Sequence, residues 1–178
     1  MLLAPSADFM LARALRSAEG APVGDVFSFV SSLYFRGKLS YAEKFGRARP
    51  GLAAVFVISQ GGGLLRPDEP VTVARLQKWA EVPIHQDNPH FTAPLVRHAS
   101  ELCDAHDAHT RFVLLGSVAS NKYVVPLLDV FGERLLFPRE FAGLGDMSRG
   151  ALLLRAVREE RELSYATVAA EVARTRSR

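Results

Sequence analysis

Four short stretches of this chain gather the side chains and glycines that could hold an anion and act on it. Tyr34, Arg36 and Lys38 follow the serines at 31 and 32. Ser59, Gln60, Gly61, Gly62 and Gly63 follow an apolar run, and Ser117, Asn121, Lys122 and Tyr123 follow a second one. Arg139, Asp146, Ser148 and Arg149 lie in the Gly-punctuated segment from Pro138 to Gly150. Consecutive glycines let backbone N–H groups approach phosphate or carboxylate oxygens, and the N-terminus of a following helix adds its dipole. Lys and Arg hold such a group by charge, Asn can hydrogen-bond a base edge, and Tyr can stack on one. Asp146, like Asp68, has the chemistry of a general base or of a stabiliser of cationic charge in a transition state. Asn121 is expected to face the reacting group beside it.

None of these stretches is a fingerprint. No GxGxxG opens a helix behind Ser59, and Gly37-Lys38 lacks the preceding glycine of a phosphate-binding P-loop. Cys103, His106 and His109 are spaced i, i+3, i+6. A helical metal site needs ligands at i, i+3 or i, i+4 and further partners from elsewhere. His106 falls on an apolar face, so a packed helix end is expected there and no metal. His85 and His90 pair with no nucleophile, and no cofactor is expected.

The elements that must position these groups follow from apolar period. Phe9 to Ala18 reads as a short helix packing loosely on the domain. Asp25 to Ser32 alternates as a first strand, with Ser31 or Ser32 capping the next helix. Leu33 to Phe45 is helical, with Phe35, Leu39, Ala42 and Phe45 on one face and Tyr34, Lys38 and Tyr41 on a second stripe. Val55 to Ser59 is a buried strand ending in the glycines. Thr72 caps a helix through Ala80, and a longer helix runs from about Pro94 to His109. Arg111 to Ser117 is a strand, Val124 to Phe131 a helix that starts or bends near Pro126, and Arg134 to Phe137 a fourth strand. Leu152–Arg158 and Leu163–Val168 alternate about a charged turn and predict a hairpin at a sheet edge, with a frayed tail after Ala169.

This order predicts one α/β domain over residues 1–178, three-layered, with a mainly parallel four-stranded sheet, helices on both faces and a C-terminal antiparallel hairpin. In such a sheet ligands bind outside the carboxyl ends of the strands, which is where all four polar stretches would converge.

Composition bounds the partners. Hydrophobic residues are 48% and charged residues 23% of the 178, a balance typical of a globular protein, and the formal net charge is +3. That mild positive balance favours an anionic ligand without the dense basic stripe of a dedicated nucleic-acid binder. Most of the basic residues are arginine, suited to carboxylate or phosphate. The single cysteine allows no intrachain disulfide, consistent with a reducing cytosol. Asp8, Arg13 and Arg16 interrupt the apolar start, so neither a signal peptide nor a membrane span is expected, and a cytoplasmic location is.

The segment Ser32-Leu33-Tyr34-Phe35-Arg36-Gly37-Lys38-Leu39-Ser40-Tyr41-Ala42-Glu43 resembles the first helix of a family of small bacterial α/β proteins. Ile58-Ser59-Gln60-Gly61 and Leu64-Leu65-Arg66-Pro67-Asp68 resemble that family's next strand and loop. The group is similar in layout to the uracil-DNA-glycosylase-like domains of archaeosine synthase and related tRNA-modification proteins. The resemblance spans about a third of the chain and implies an α/β fold with a site at the strand ends. The chain departs from the pattern in two extra glycines before Leu64 and in lacking a Cys-Ser stretch and a glycosylase water-activating motif.

Three functions fit these observations. The first is a protein binding a nucleotide, a nucleobase or a ligand derived from nucleic acid, with metal-independent glycosylase- or transferase-like chemistry if it is an enzyme. The second is a non-catalytic partner subunit, pairing as a homodimer through the edge hairpin. The third is an enzyme on a small anionic metabolite.

Overall fold

The computed structural model describes residues 2–4, 6–31 and 33–176. In chain order these form α1 (Met10–Arg16), β1 (Ala21–Pro22), α2 (Val23–Val30), α3 (Leu33–Phe45), β2 (Val57–Ser59) and β3 (Gly63–Leu65). There follow β4 (Pro70–Val71), α4 (Val73–Ala80), α5 (Pro89–Ala105), β5 (Phe112–Val113), α6 (Asn121–Phe131), β6 (Leu135–Pro138), α7 (Asp146–Arg158), β7 (Tyr165–Thr167) and α8 (Val168–Arg176).

The expected four-stranded parallel sheet is not what forms. The strands make three small sheets: an antiparallel pair β1–β4, an antiparallel pair β2–β3, and a three-stranded sheet β5–β6–β7. Among the described residues only β5 and β6 pair in parallel, with Phe112 opposite Leu135 and Val113 opposite Leu136. Strands of two to four residues cannot carry helical layers on both faces, and the core is made chiefly by helices.

The first difference arises over residues 25–30 of the expected strand, where α2 stands in its place. Pro22 precedes the helix, and Asp25 in its first turn complements the positive end of the dipole. The free N–H groups of Val23 and Gly24 donate to the carbonyls of Glu69 (2.9 Å) and Pro67 (2.9 Å). The segment before β4 therefore satisfies the helix start, a long-range contact that outweighs the β-branched composition. Ser31 is the C-cap of α2 and not the N-cap of α3; Ser32 lies outside the described residues. Helix α1 is held more firmly than expected, with Ala12 and Leu15 buried.

The second difference lies at the C-terminal end. Leu152 to Arg158 belongs to α7, because Gly150, Leu153 and Ala156 recur at helical spacing and are buried together. Tyr165 to Thr167 pairs antiparallel with β6 instead, with Phe137 opposite Ala166. The edge hairpin is thus replaced by a helix and one strand, and the proposed dimer contact loses its basis. The residues after Ala169 continue as α8, anchored by the buried Val168.

Elsewhere the period decides correctly. Helix α3 spans Leu33 to Phe45. Thr72 Oγ1 accepts the N–H of Arg75 (3.3 Å) and caps α4. Asn88 caps α5, which starts five residues before the expected Pro94 and ends at Ala105. Helix α6 starts at Asn121 and passes through Pro126.

Three apolar clusters hold these parts together. One joins α1, α2, the β2–β3 hairpin and α4 around Leu15, Val26, Val57, Leu65 and Trp79. A second joins α5, α6, β6 and α8 around Phe91, Leu95, Leu127, Leu135 and Val168. A third is built between α3 and α7 from Tyr34, Tyr41, Phe141, Leu153, Ala156 and Leu163. No helix among the described residues is long and apolar enough to cross a membrane.

Candidate functional site

Helix α3 is the element from which the site is built, and its two stripes play different parts. Tyr34, Gly37 and Tyr41 are the buried positions, turned toward α7. Phe35, Leu39, Ala42 and Phe45, the face read from the apolar period, are only half-buried and line a cavity of about 900 Å³. All three clusters contribute to its wall, among them Val57, Leu127, Phe131, Leu135 and Tyr41. The lining is mainly carbon, with Lys38, Arg47, Arg49, Arg111, His106 and Glu162 and the hydroxyls of Tyr41, Tyr123 and Tyr165 as its titratable members.

Where α3 meets α7, four of the residues singled out for chemistry come together. The Lys38 ammonium stands 4.2 Å from the centre of the Tyr34 ring and 5.9 Å from that of Phe35, a cation–π arrangement. The Tyr34 ring in turn meets Phe141 edge to face at 6.3 Å. Arg149, in the first turn of α7, reaches Asp146 Oδ1 at 3.4 Å and the Phe141 carbonyl at 3.4 Å, both long for a hydrogen bond. Its guanidinium lies 5.6 Å from the Phe141 ring. The Arg149 side chain is 13% exposed and that of Asp146 68%.

The electrostatics of this group follow from burial. Desolvation lowers the Lys38 pKa, Asp146 works against that, and Arg149 adds to it. Burial raises the Tyr34 pKa, and the charge and hydrogen bond of Arg149 partly offset it. Among the described residues no ion pair or hydrogen bond fixes the Lys38 amine. Two shielded cations thus share one solvent-facing carboxylate.

A second polar chain lies on the cavity wall one turn further along α3. The Leu163 N–H donates to the Tyr41 hydroxyl (2.8 Å), which is 2.7 Å from the Tyr165 hydroxyl, which donates to Glu162 (2.8 Å). Burial, Tyr41 and Glu162 together push the Tyr165 hydroxyl far up. Tyr41, Tyr165 and Glu162 all line the cavity, and Glu162 is exposed, so the chain links the cavity wall to solvent.

The glycine stretch plays a different part from the one expected. Ser59 to Gly63 is the turn of the β2–β3 hairpin, with Ser59 opposite Gly63. Ser59, 1% exposed, accepts the Gly62 N–H at its hydroxyl (2.8 Å). Gly61 and Gly62 lie on the ring of Trp79, where a Cβ would come within 2.8 Å and 2.6 Å of ring carbons. Gly63, at φ +70°, would drive a Cβ to 2.6 Å from the Pro94 carbonyl oxygen. These glycines admit neighbouring protein atoms and form no open nest of amides. Gln60 donates to the Val82 carbonyl (3.2 Å) and still lines the cavity.

The remaining expected residues are dispersed. Asn121 begins α6 and is exposed, and no hydrogen bond or ion pair joins it to Asp146 among the described residues. Lys122 lies 5.1 Å from the Tyr123 ring, and Tyr123 itself is half-buried on the cavity wall, edge to face with Phe91. Ser117 is half-buried just beyond the lining residues Leu115 and Gly116. Arg36 and Ser148 are exposed on α3 and α7, and Arg139 donates to the Tyr165 carbonyl (2.9 Å).

Of the histidines considered for chemistry, His106 is a packing group, while His85, His90 and His109 are exposed. His106 is the C-cap of α5, its Nδ1 2.9 Å from the Leu102 carbonyl, with its ring against Phe112. No group of His, Cys, Asp or Glu among the described residues could hold a metal ion. Phe141, Tyr165 and Glu162 had no signal of their own in the sequence. The only hint of Tyr41 was its place at i+7 on the Tyr34–Lys38 stripe. Comparison of the chain with protein-family models, with curated proteins and with solved structures finds no match.

Proposed function

We propose that this chain binds an organic anion with a substantial apolar body. The anionic group is held by Lys38 and Arg149, and the body occupies the adjoining cavity. The observation that carries this reading is the sharing of one exposed carboxylate by two shielded cations, one of which also lines a large apolar cavity. Away from bulk water a second anion is attracted more strongly than at an open surface. Arg149 offers the planar fork that suits carboxylate or phosphate. A mostly apolar cavity of several hundred Å³ with few polar groups has the character of a small-molecule site.

A nucleotide-derived ligand is the second reading. The rings of Phe35, Phe45, Phe56, Phe112, Tyr123 and Phe131 on the cavity wall favour it, because aromatic surfaces stack a base.

Thermal-shift and calorimetric titration with octanoate, aryl carboxylates, and purine and pyrimidine nucleotides tests both. A ligand that binds the folded state raises the melting temperature with concentration. Octanoate or an aryl carboxylate is expected to do so. Arg149→Met is expected to weaken that binding by roughly 10- to 100-fold, the range of a charge-assisted hydrogen bond. Stabilisation by nucleotides alone would select the second reading, and stabilisation by neither class would refute the site.

A further inference from the structure

We propose that Lys38 condenses with the carbonyl group of an apolar oxo acid to form an imine, with Arg149 holding the acid's carboxylate and the cavity taking its carbon chain. This deepens the binding reading above and rests on it.

The geometry assigns different tasks to the two cations. Arg149 presents a planar guanidinium, and its side chain already reaches a carboxylate, that of Asp146, at 3.4 Å. Lys38 lies on the cavity wall with only aromatic faces beneath its amine, and among the described residues no acceptor immobilises it. An amine withdrawn from water in this way keeps a larger fraction in the free, nucleophilic form. The chain's other lysines differ: Lys44 is exposed and paired with Glu160, Lys78 is exposed, and Lys122 lies outside the cavity lining.

The step balances without an oxidant. The Nζ lone pair attacks the carbonyl carbon, and the C=O π electrons move to oxygen, which takes up one of the two amine protons. The carbinolamine then loses that oxygen as water, the two amine protons leaving with it, and a C=N bond remains. Reversal by water regenerates both partners.

The test is reductive trapping on the full chain. The protein is incubated with 2-oxooctanoate and sodium cyanoborohydride, which delivers hydride to the imine and fixes it as a secondary amine, and the product is mapped by mass spectrometry. The expected result is one adduct per chain, at Lys38, suppressed by excess octanoate. Lys38→Arg, its fold checked by its melting transition, should give no adduct. Arg149→Met should cut labelling by 2-oxooctanoate at least tenfold while octanal still labels Lys38, because only the acid needs the guanidinium. Octanoate binding without any adduct would overturn the imine and leave the binding reading standing. Adducts spread evenly over Lys44, Lys78 and Lys122 would overturn it too. Failure of octanoate to bind at all would overturn both.

Discussion

Gly37 and Gly150 meet backbone to backbone where α3 crosses α7. A Cβ on Gly37 would stand 2.8 Å from the Gly150 carbonyl oxygen, and one on Gly150 would stand 2.8 Å from Tyr34 Cα. Both obstructions are main-chain atoms that no rotamer change removes. The crossing sets the spacing between Lys38 on one helix and Arg149 on the other.

Gly150→Ala places two effects in opposition. Alanine gains about 1 kcal/mol of helix propensity over glycine. Overpacking costs about 1–3 kcal/mol, toward the upper end where backbone must move. A net loss of about 1–2 kcal/mol is expected in urea unfolding, together with weaker octanoate binding as the helices part. Unchanged stability would show that the helices have slack at this crossing.

Ser59→Ala separates a hairpin role from an anion-binding role. The substitution leaves the Gly62 N–H without the hydroxyl that accepts it at 2.8 Å. An orphaned buried donor costs about 1–3 kcal/mol, and the part-buried Gly62 N–H falls at the lower end of that range. Stability is expected to fall by that amount while octanoate affinity stays within twofold of the parent. A large loss of affinity with unchanged stability would return the glycine turn to the site.

Lys38 makes stability depend on alkaline pH. Burial lowers its folded-state pKa below the ordinary lysine value. Between the folded and unfolded pKa values the unfolded chain binds more protons, so stability rises with pH there. The ammonium's burial cost is therefore fully present below the lowered pKa and is relieved as pH rises through it toward about 10.4. Ligand-free Lys38→Met is expected to melt above the parent at pH 7, with the gap narrowing by pH 10. A gap that widens with pH would show that the ammonium stabilises the fold.

Much of the local structure was legible in the sequence, and the errors have common causes. The period of Phe35, Leu39, Ala42 and Phe45 located α3 to the residue, but not which stripe faces protein. That choice rests on Gly150, 113 positions away, as the contact that receives Gly37. The run Val26-Phe27-Ser28-Phe29-Val30 alternates like a strand and coils as a helix because carbonyls from residues 67 and 69 meet its first N–H groups. Residues 152–158 satisfy both periods, and burial of Leu153 and Ala156 against α3 selects the helix. Tyr34, Lys38, Asp146 and Arg149 were legible as chemistry from their types. They meet through a helix crossing and not at the end of a parallel sheet. The cavity could not be read, because space between three clusters belongs to no local pattern.

The division of the core also orders its assembly as the chain is made. The cluster around Leu15, Val26 and Trp79 draws all its members from the first 79 residues. It can close while the remainder is still being synthesised, as N-terminal units generally do. Helix α3 emerges in the same interval, but the partners of its Tyr34–Tyr41 stripe, Phe141, Leu153 and Leu163, come about a hundred residues later. Until α7 arrives that stripe lacks most of the surface it packs against. The last third of the chain therefore completes the polar group of Lys38 and Arg149, and a nascent or truncated chain that ends before α7 displays an aromatic helix face in place of a binding site.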